Sequence, residues 1–198
     1  GPVAHSLIGG IRIDASCQGS VEGMFAAGEV SGGVHGANRM AGNGGAETIV
    51  FGKIAGDGAG DYAAAKDFPK FSEDEIALEE NRFNLMINTE HSQKTVIQEI
   101  RSEIQAVVAG AAGVIRNGKD MEIALHRLDK IKAEKLNRLA AQDLSDLIQC
   151  LEAKDMTLLA EITLRAAWMR CESRGAHYRS DFPDLKDEQW LKNIIIKK

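Results

Sequence analysis

Glycine placement constrains this chain more than any other feature. Sixteen of its twenty glycines precede Lys66, and only Gly110, Gly113, Gly118 and Gly175 follow. Glycine loses much backbone entropy on folding and brings no side chain to bury, so the first third cannot build a core of its own. It reads instead as the tail end of a larger sheet domain. Ile11-Arg12-Ile13-Asp14 and Met24 to Ala27, separated by Gly19 and Gly23, predict two short strands in a hairpin-like arrangement. A helix of small residues is expected from Gly45 to about Ala65. Beyond it the chain turns charged and helix-periodic, and Pro69 in Lys66-Asp67-Phe68-Pro69-Lys70 discourages helix continuation. The expected organisation is an α/β fragment over residues 1–66 followed by an all-α helical bundle over residues 67–198.

The helical part has its own punctuation. Ser72-Glu73-Asp74-Glu75 is a capping box opening a helix through about Glu90. Ile97, Ile100, Ile104, Val107 and Val108 mark one face of the next, and Met121, Leu125, Leu128 and Ile131 that of a third. Leu144, Leu147, Ile148 and Leu151 fall at helical spacing, as do Leu159, Ile162, Ala166 and Met169; all are read as core stripes. Ile194-Ile195-Ile196, before two lysines, suits an edge strand.

Composition narrows the function. A net charge of −5 leaves no basic footprint for nucleic acid or an anionic membrane. Cys17, Cys150 and Cys171 are odd in number and lack metal-ligand spacing, which suits reduced thiols in a cytoplasm. The longest apolar run, Ala106 to Ile115, falls far short of a membrane span.

Chemistry concentrates in Ala26 to Gly52. Glu29 follows a short apolar strand, where a carboxylate can accept from a ribose diol, satisfy Arg39 or stand solvated. Arg39 can fork onto a carboxylate or onto loop carbonyls. A helix opening on Gly44-Gly45 offers unpaired N–H groups to an anion or carbonyl. His35 and Asn38 organise the loop between them. His5, near the N-terminus and before Gly9-Gly10, reads on its own as an exposed side chain.

Gly28-Glu29, His35-Gly36-Ala37-Asn38-Arg39, Gly42-Asn43 and Phe51-Gly52 together resemble the fumarate reductase / succinate dehydrogenase flavoprotein family, which includes L-aspartate oxidase. Cys171-Glu172-Ser173-Arg174-Gly175-Ala176-His177 resembles the motif that ends the family's helical domain, and Glu188-Gln189-Trp190-Leu191 its fumarate and succinate branch. The resemblance implies that residues 1–66 are the C-terminal piece of an FAD-binding domain. It further implies FAD as cofactor, Glu29, Gly44 and Gly45 as cofactor-binding residues, and His5 and Arg39 as binders of a C4 dicarboxylate, fumarate or succinate. Hydride would pass between flavin N5 and an alkene carbon. No catalytic residue is assigned within this chain, because the family's proton-donating arginine lies in its capping domain. Three departures stand out: Ser6 where an aromatic is common, Ile8 where methionine is, and Gly44-Gly45 where a serine and a larger apolar residue are usual. Arg174, His177 and Arg179 are read as anchors turned toward a neighbour, with Gly175 capping a helix.

The chain is accordingly expected to be the C-terminal portion of a larger subunit, or one chain of a split one, inactive without the N-terminal FAD and capping domains. Iron–sulfur and membrane-anchor subunits are its expected partners, with a cytoplasmic location peripheral to the membrane through them. L-aspartate oxidase is the alternative within the family, since Glu29-Val30-Ser31 and His177-Tyr178-Arg179 suit it equally. A non-catalytic helical module over residues 70–198, docking a partner subunit, is the alternative outside enzymes.

Overall fold

The computed structural model describes residues 5–87 and 94–197. The chain divides into two compact units, Gly1–Lys70 and Phe71–Lys198.

In the first unit, β1 (Ile11–Arg12) pairs in parallel with β2 (Ser31–Gly32), Ile11 opposite Ser31 and Arg12 opposite Gly32. The glycines make this pairing possible. A Cβ on Gly10 would stand 2.2 Å from the Val30 carbonyl oxygen, and one on Gly32 would stand 2.7 Å from the Gly10 nitrogen. Any side chain there would force the strands apart. The expected hairpin between Ile11–Asp14 and Met24–Ala27 is corrected. Gln18 bridges Phe25 in antiparallel fashion, and Ala26 N–H donates to Cys17 O, while β1 takes the more distant β2 as its partner. Strands this short carry too little alternation to specify their partners.

Helix α1 (Asn43–Ala64) follows, starting two residues before the expected Gly45. Its distal half holds the 18–25 turn: Phe25 packs edge-on against Tyr62 at 6.4 Å, and the Tyr62 hydroxyl donates to Glu22 at 3.0 Å. Gly58 admits the Phe25 ring, which a Cβ there would meet at 2.9 Å.

The second unit is helical. Its helices are α2 (Glu73–Met86), α3 (Lys94–Ala111), α4 (Gly118–Glu134), α5 (Leu144–Met169) and a single turn α6 (Asp187–Trp190). The capping box is present in full: Ser72 accepts from the Glu75 N–H, and the Glu75 carboxylate accepts from the Ser72 N–H. The expected run of α2 to about Glu90 is corrected: the helix ends at Met86, where Ile87 turns extended and bridges Ala141, and residues 88–93 lie outside the described residues. Asn117 and Asp143 cap α4 and α5 by accepting from N–H groups three residues on, each at 2.9 Å. Such caps satisfy donors that a helix start leaves unpaired.

The core lies among α3, α4 and α5. Ile97, Ile100, Ile104 and Val107 meet Met121, Leu128 and Ile131, as the apolar spacing predicts. The expectation for α5 needs correction. It is one continuous helix, and its buried face carries Leu147, Cys150, Ala153, Thr157, Ala160, Leu164 and Ala167. Leu144, Ile148, Leu159 and Met169 are exposed. Small residues on the inner face let the helices approach closely, so the large aliphatics that dominate the sequence pattern point elsewhere. Ile194-Ile195-Ile196 forms no strand. No helix among the described residues is long and apolar enough to cross a membrane.

Candidate functional site

All five residues singled out for binding lie in the first unit. The chain leaves a positive φ of 80° at Gly28 and enters a 3-10 turn, Gly28–Val30, whose middle residue is Glu29. Glu29 Oε1 accepts the Leu7 N–H at 2.9 Å, so this exposed carboxylate lies against the segment that carries His5. The His5 side chain is exposed and makes no hydrogen bond or ion pair with a described residue.

Arg39 and Gly44 form a second pair. A Cβ on Gly44 would stand 2.7 Å from Arg39 Nη1 and 3.1 Å from Cζ, so the guanidinium lies along the opening turn of α1 because position 44 has no side chain. The helix starts from Gly42 at φ 86° with no side-chain cap, and a Cβ on Gly45 would meet nothing within 4 Å. The N-terminal turn of α1 thus has no side-chain cap and is flanked by a cation, but the expectation of two unpaired amides is corrected: the Gly45 N–H donates to Gly42 O and the Asn43 N–H to Met40 O, each at 3.2 Å. The structure joins Glu29 to the His5 segment and Arg39 to Gly44. It makes no direct contact between Glu29 and Arg39, which the sequence had left as one way to satisfy either residue.

Sequence reading missed Glu47. This carboxylate, 7% exposed, accepts the Gly28 N–H at 3.0 Å through Oε1, and its Oε2 lies 3.5 Å from His35 Nε2. The Ser31 hydroxyl donates to Gly28 O at 2.8 Å and stands 3.4 Å from the same Oε1. A single acid among alanines and glycines early in α1 was the available signal.

In the second unit, the side chains of the Cys171–Asp181 motif pair with groups of that same unit. Glu172, fully buried, accepts from Arg174 at 2.8 and 3.1 Å, from Arg170 at 2.7 Å and from the Lys186 N–H at 2.8 Å. These donors, Arg174 foremost, hold its carboxyl down to about 2 against burial. Arg179 donates to the carbonyls of Ala167, Trp168 and Arg170, the unpaired end of α5, and forks onto Asp181. Asp181 is likewise held at about 2. Gly175 does not cap the helix, which ends at Met169. Its φ of 57° serves a tight turn in which Arg174 and His177 exchange both backbone hydrogen bonds. Arg116 approaches His177 Nδ1 at 2.8 Å. Since arginine can only donate, Nδ1 accepts, and the proton on Nε2 faces Arg170 O at 3.3 Å. Burial and then the Arg116 charge push the His177 imidazole below its usual range, so it is neutral at pH 7.

Residues 101–198 match the model for the fumarate reductase flavoprotein C-terminal region, and residues 1–44 that for an FAD binding domain. The chain is 36% identical over its whole length to one component of the fumarate reductase (CoM/CoB) of Methanothermobacter marburgensis, covering 36% of that protein. It is 33% identical to L-aspartate oxidase of Acinetobacter baylyi over 98% of its length, covering 34% of that protein. Among solved structures, an Escherichia coli quinol fumarate reductase FrdA variant superposes with a TM-score of 0.86 at 31% identity, over 95% of this chain and 33% of that one. Mycobacterium smegmatis Sdh1 gives 0.83 at 31% identity, over 91% and 31%. The chain belongs to the fumarate reductase / succinate dehydrogenase flavoprotein family, whose cofactor is FAD. It spans about a third of the length of the curated relatives it matches.

Proposed function

We propose that the chain is the C-terminal part of a flavoprotein subunit that interconverts fumarate and succinate. One observation carries this reading: the Arg39 guanidinium lies against the bare N-terminal turn of α1. A cation beside the positive end of a helix is unfavourable unless an anion joins them, so the pair suits a carboxylate or an anionic ring. Arg39 would take one carboxylate of the dicarboxylate in a fork, and the exposed imidazole of His5 the other. Together they would draw electron density from the double bond and hold it in a fixed pose. The donor set also fits FAD. Glu29 would accept from ribose hydroxyls with the oxygen that Leu7 leaves free, the Gly44 amide would face the flavin, and the bare backbone of Gly45 would let the ring approach closely. FAD, when bound, supplies the redox step. Iron–sulfur and membrane-anchor subunits are the proposed partners, supported by the likeness to a quinol fumarate reductase and to Sdh1.

L-aspartate oxidation is the second reading, supported by 33% identity to an enzyme of that name. An assay of the complete flavoprotein with fumarate plus a reduced dye, and separately with L-aspartate, separates the two. A pocket built for polar groups discriminates strongly over one amino group. The expected result is fumarate reduction; turnover of L-aspartate alone would replace this proposal with the second.

A further inference from the structure

We propose that Glu47 is a positioning residue that sets the cofactor-side turn with one carboxylate oxygen and the substrate-side loop with the other. The inference rests on the reading above, in which Glu29 faces FAD and Arg39 the dicarboxylate. Glu47 is buried in α1, and its two oxygens look in different directions. Oε1 holds the Gly28 N–H at 3.0 Å, and Gly28 heads the 3-10 turn in which Glu29 is the next residue. Gly28 adopts its positive φ without strain, so it does not fix the turn by itself; this bond, with the Ser31 hydroxyl on Gly28 O, holds it in place. Oε2 faces His35 Nε2 at 3.5 Å, with the imidazole only 15% exposed. His35 lies four residues before Arg39, in a loop with positive φ at Gly33, Gly36 and Gly42. Three glycines at positive φ leave that loop few local restraints, so the His35–Glu47 contact ties it to the helix beside the packing of Arg39 on the first turn. Since α1 also provides Gly44 and Gly45, a single side chain references all the proposed binding elements except His5 to one rigid helix.

The test uses the complete flavoprotein with Glu47→Gln, Glu47→Ala and His35→Ala, reading bound FAD per protomer together with KM and kcat for fumarate. Glu47→Gln keeps a carbonyl oxygen for Gly28 but places an amide opposite His35. It should retain FAD, with KM raised about tenfold as the His35 contact is weakened, and kcat little changed. His35→Ala should match it. Glu47→Ala should lose FAD as well. A general loss of packing would not give this split, nor would glutamine restore flavin alone. Wild-type FAD content and KM in Glu47→Ala would overturn the proposal, as would equal loss of FAD in the alanine and glutamine variants. If Glu47→Ala does not fold, wild-type KM in both Glu47→Gln and His35→Ala would overturn it equally. Amide exchange at Gly28 in the complete flavoprotein judges the first arm independently of any activity. It should be about tenfold faster in Glu47→Ala than in Glu47→Gln, and equal rates would contradict it. A wild-type protein that binds FAD but leaves fumarate unchanged would overturn the functional reading and, with it, the substrate arm.

Discussion

Around Glu172 the protein concentrates charge that it does not expose. Glu172 and Asp181 are both held at about 2, well below their ordinary values of 4.5 and 3.8, by Arg174 and Arg179 respectively. A carboxylate whose folded value is depressed adds stability above its unfolded value and loses it as pH falls toward the folded one. His177 works in the same direction, because protonating an imidazole held below 6.5 favours the unfolded chain. Urea unfolding of the helical unit followed against pH should therefore show two stages. Stability falls first below about pH 6.5, then more steeply from about pH 4.5 toward 2. Glu172→Gln should remove the Glu172 share of the second stage and leave that of Asp181; an unchanged profile in that variant would contradict the assignment. The residues of this cluster were legible as a motif. Whether their side chains served a neighbour or their own helix end was not, because that depends on where α5 stops and how residues 170–192 fold back on it.

At the scale of elements, the Ser72 cap could be read from local chemistry alone, whereas Gly175 turned out not to cap a helix. Ser72, Asn117 and Asp143 each start a helix by accepting from the N–H three residues ahead, a contact contained within one turn. The inner face of α5 could not be read this way. Periodicity weights large aliphatic residues, whereas close packing of three helices selected Cys150, Ala153 and Ala160 for the inside. The consequence is measurable. Leu164→Ala, at a fully buried position, should cost about 2–5 kcal/mol in urea unfolding. Leu159→Ala, at a position 56% exposed, should cost less than about 0.5 kcal/mol. Equal losses would mean that α5 buries its other face.

For the molecule as a whole, the proposed binding residues Glu29, Arg39, Gly44 and Gly45 could be singled out because they fall within one short stretch and carry distinct chemistries. Glu47 escaped notice because its meaning lies in a contact with Gly28, nineteen positions away in sequence. The pairing of β1 with β2 was hidden for the same reason. The account depends most on one arrangement, a cation and a bare helix start converging on an anionic substrate. Its most direct test is steady-state fumarate reduction by the complete flavoprotein carrying Arg39→Ala, with bound FAD quantified in the same samples. The account predicts retained FAD and a fall in kcat/KM of at least about a hundredfold, the scale of losing one preorganised charge-stabilising donor. Unchanged kcat/KM would contradict it, and loss of FAD would move Arg39 from the substrate to the cofactor.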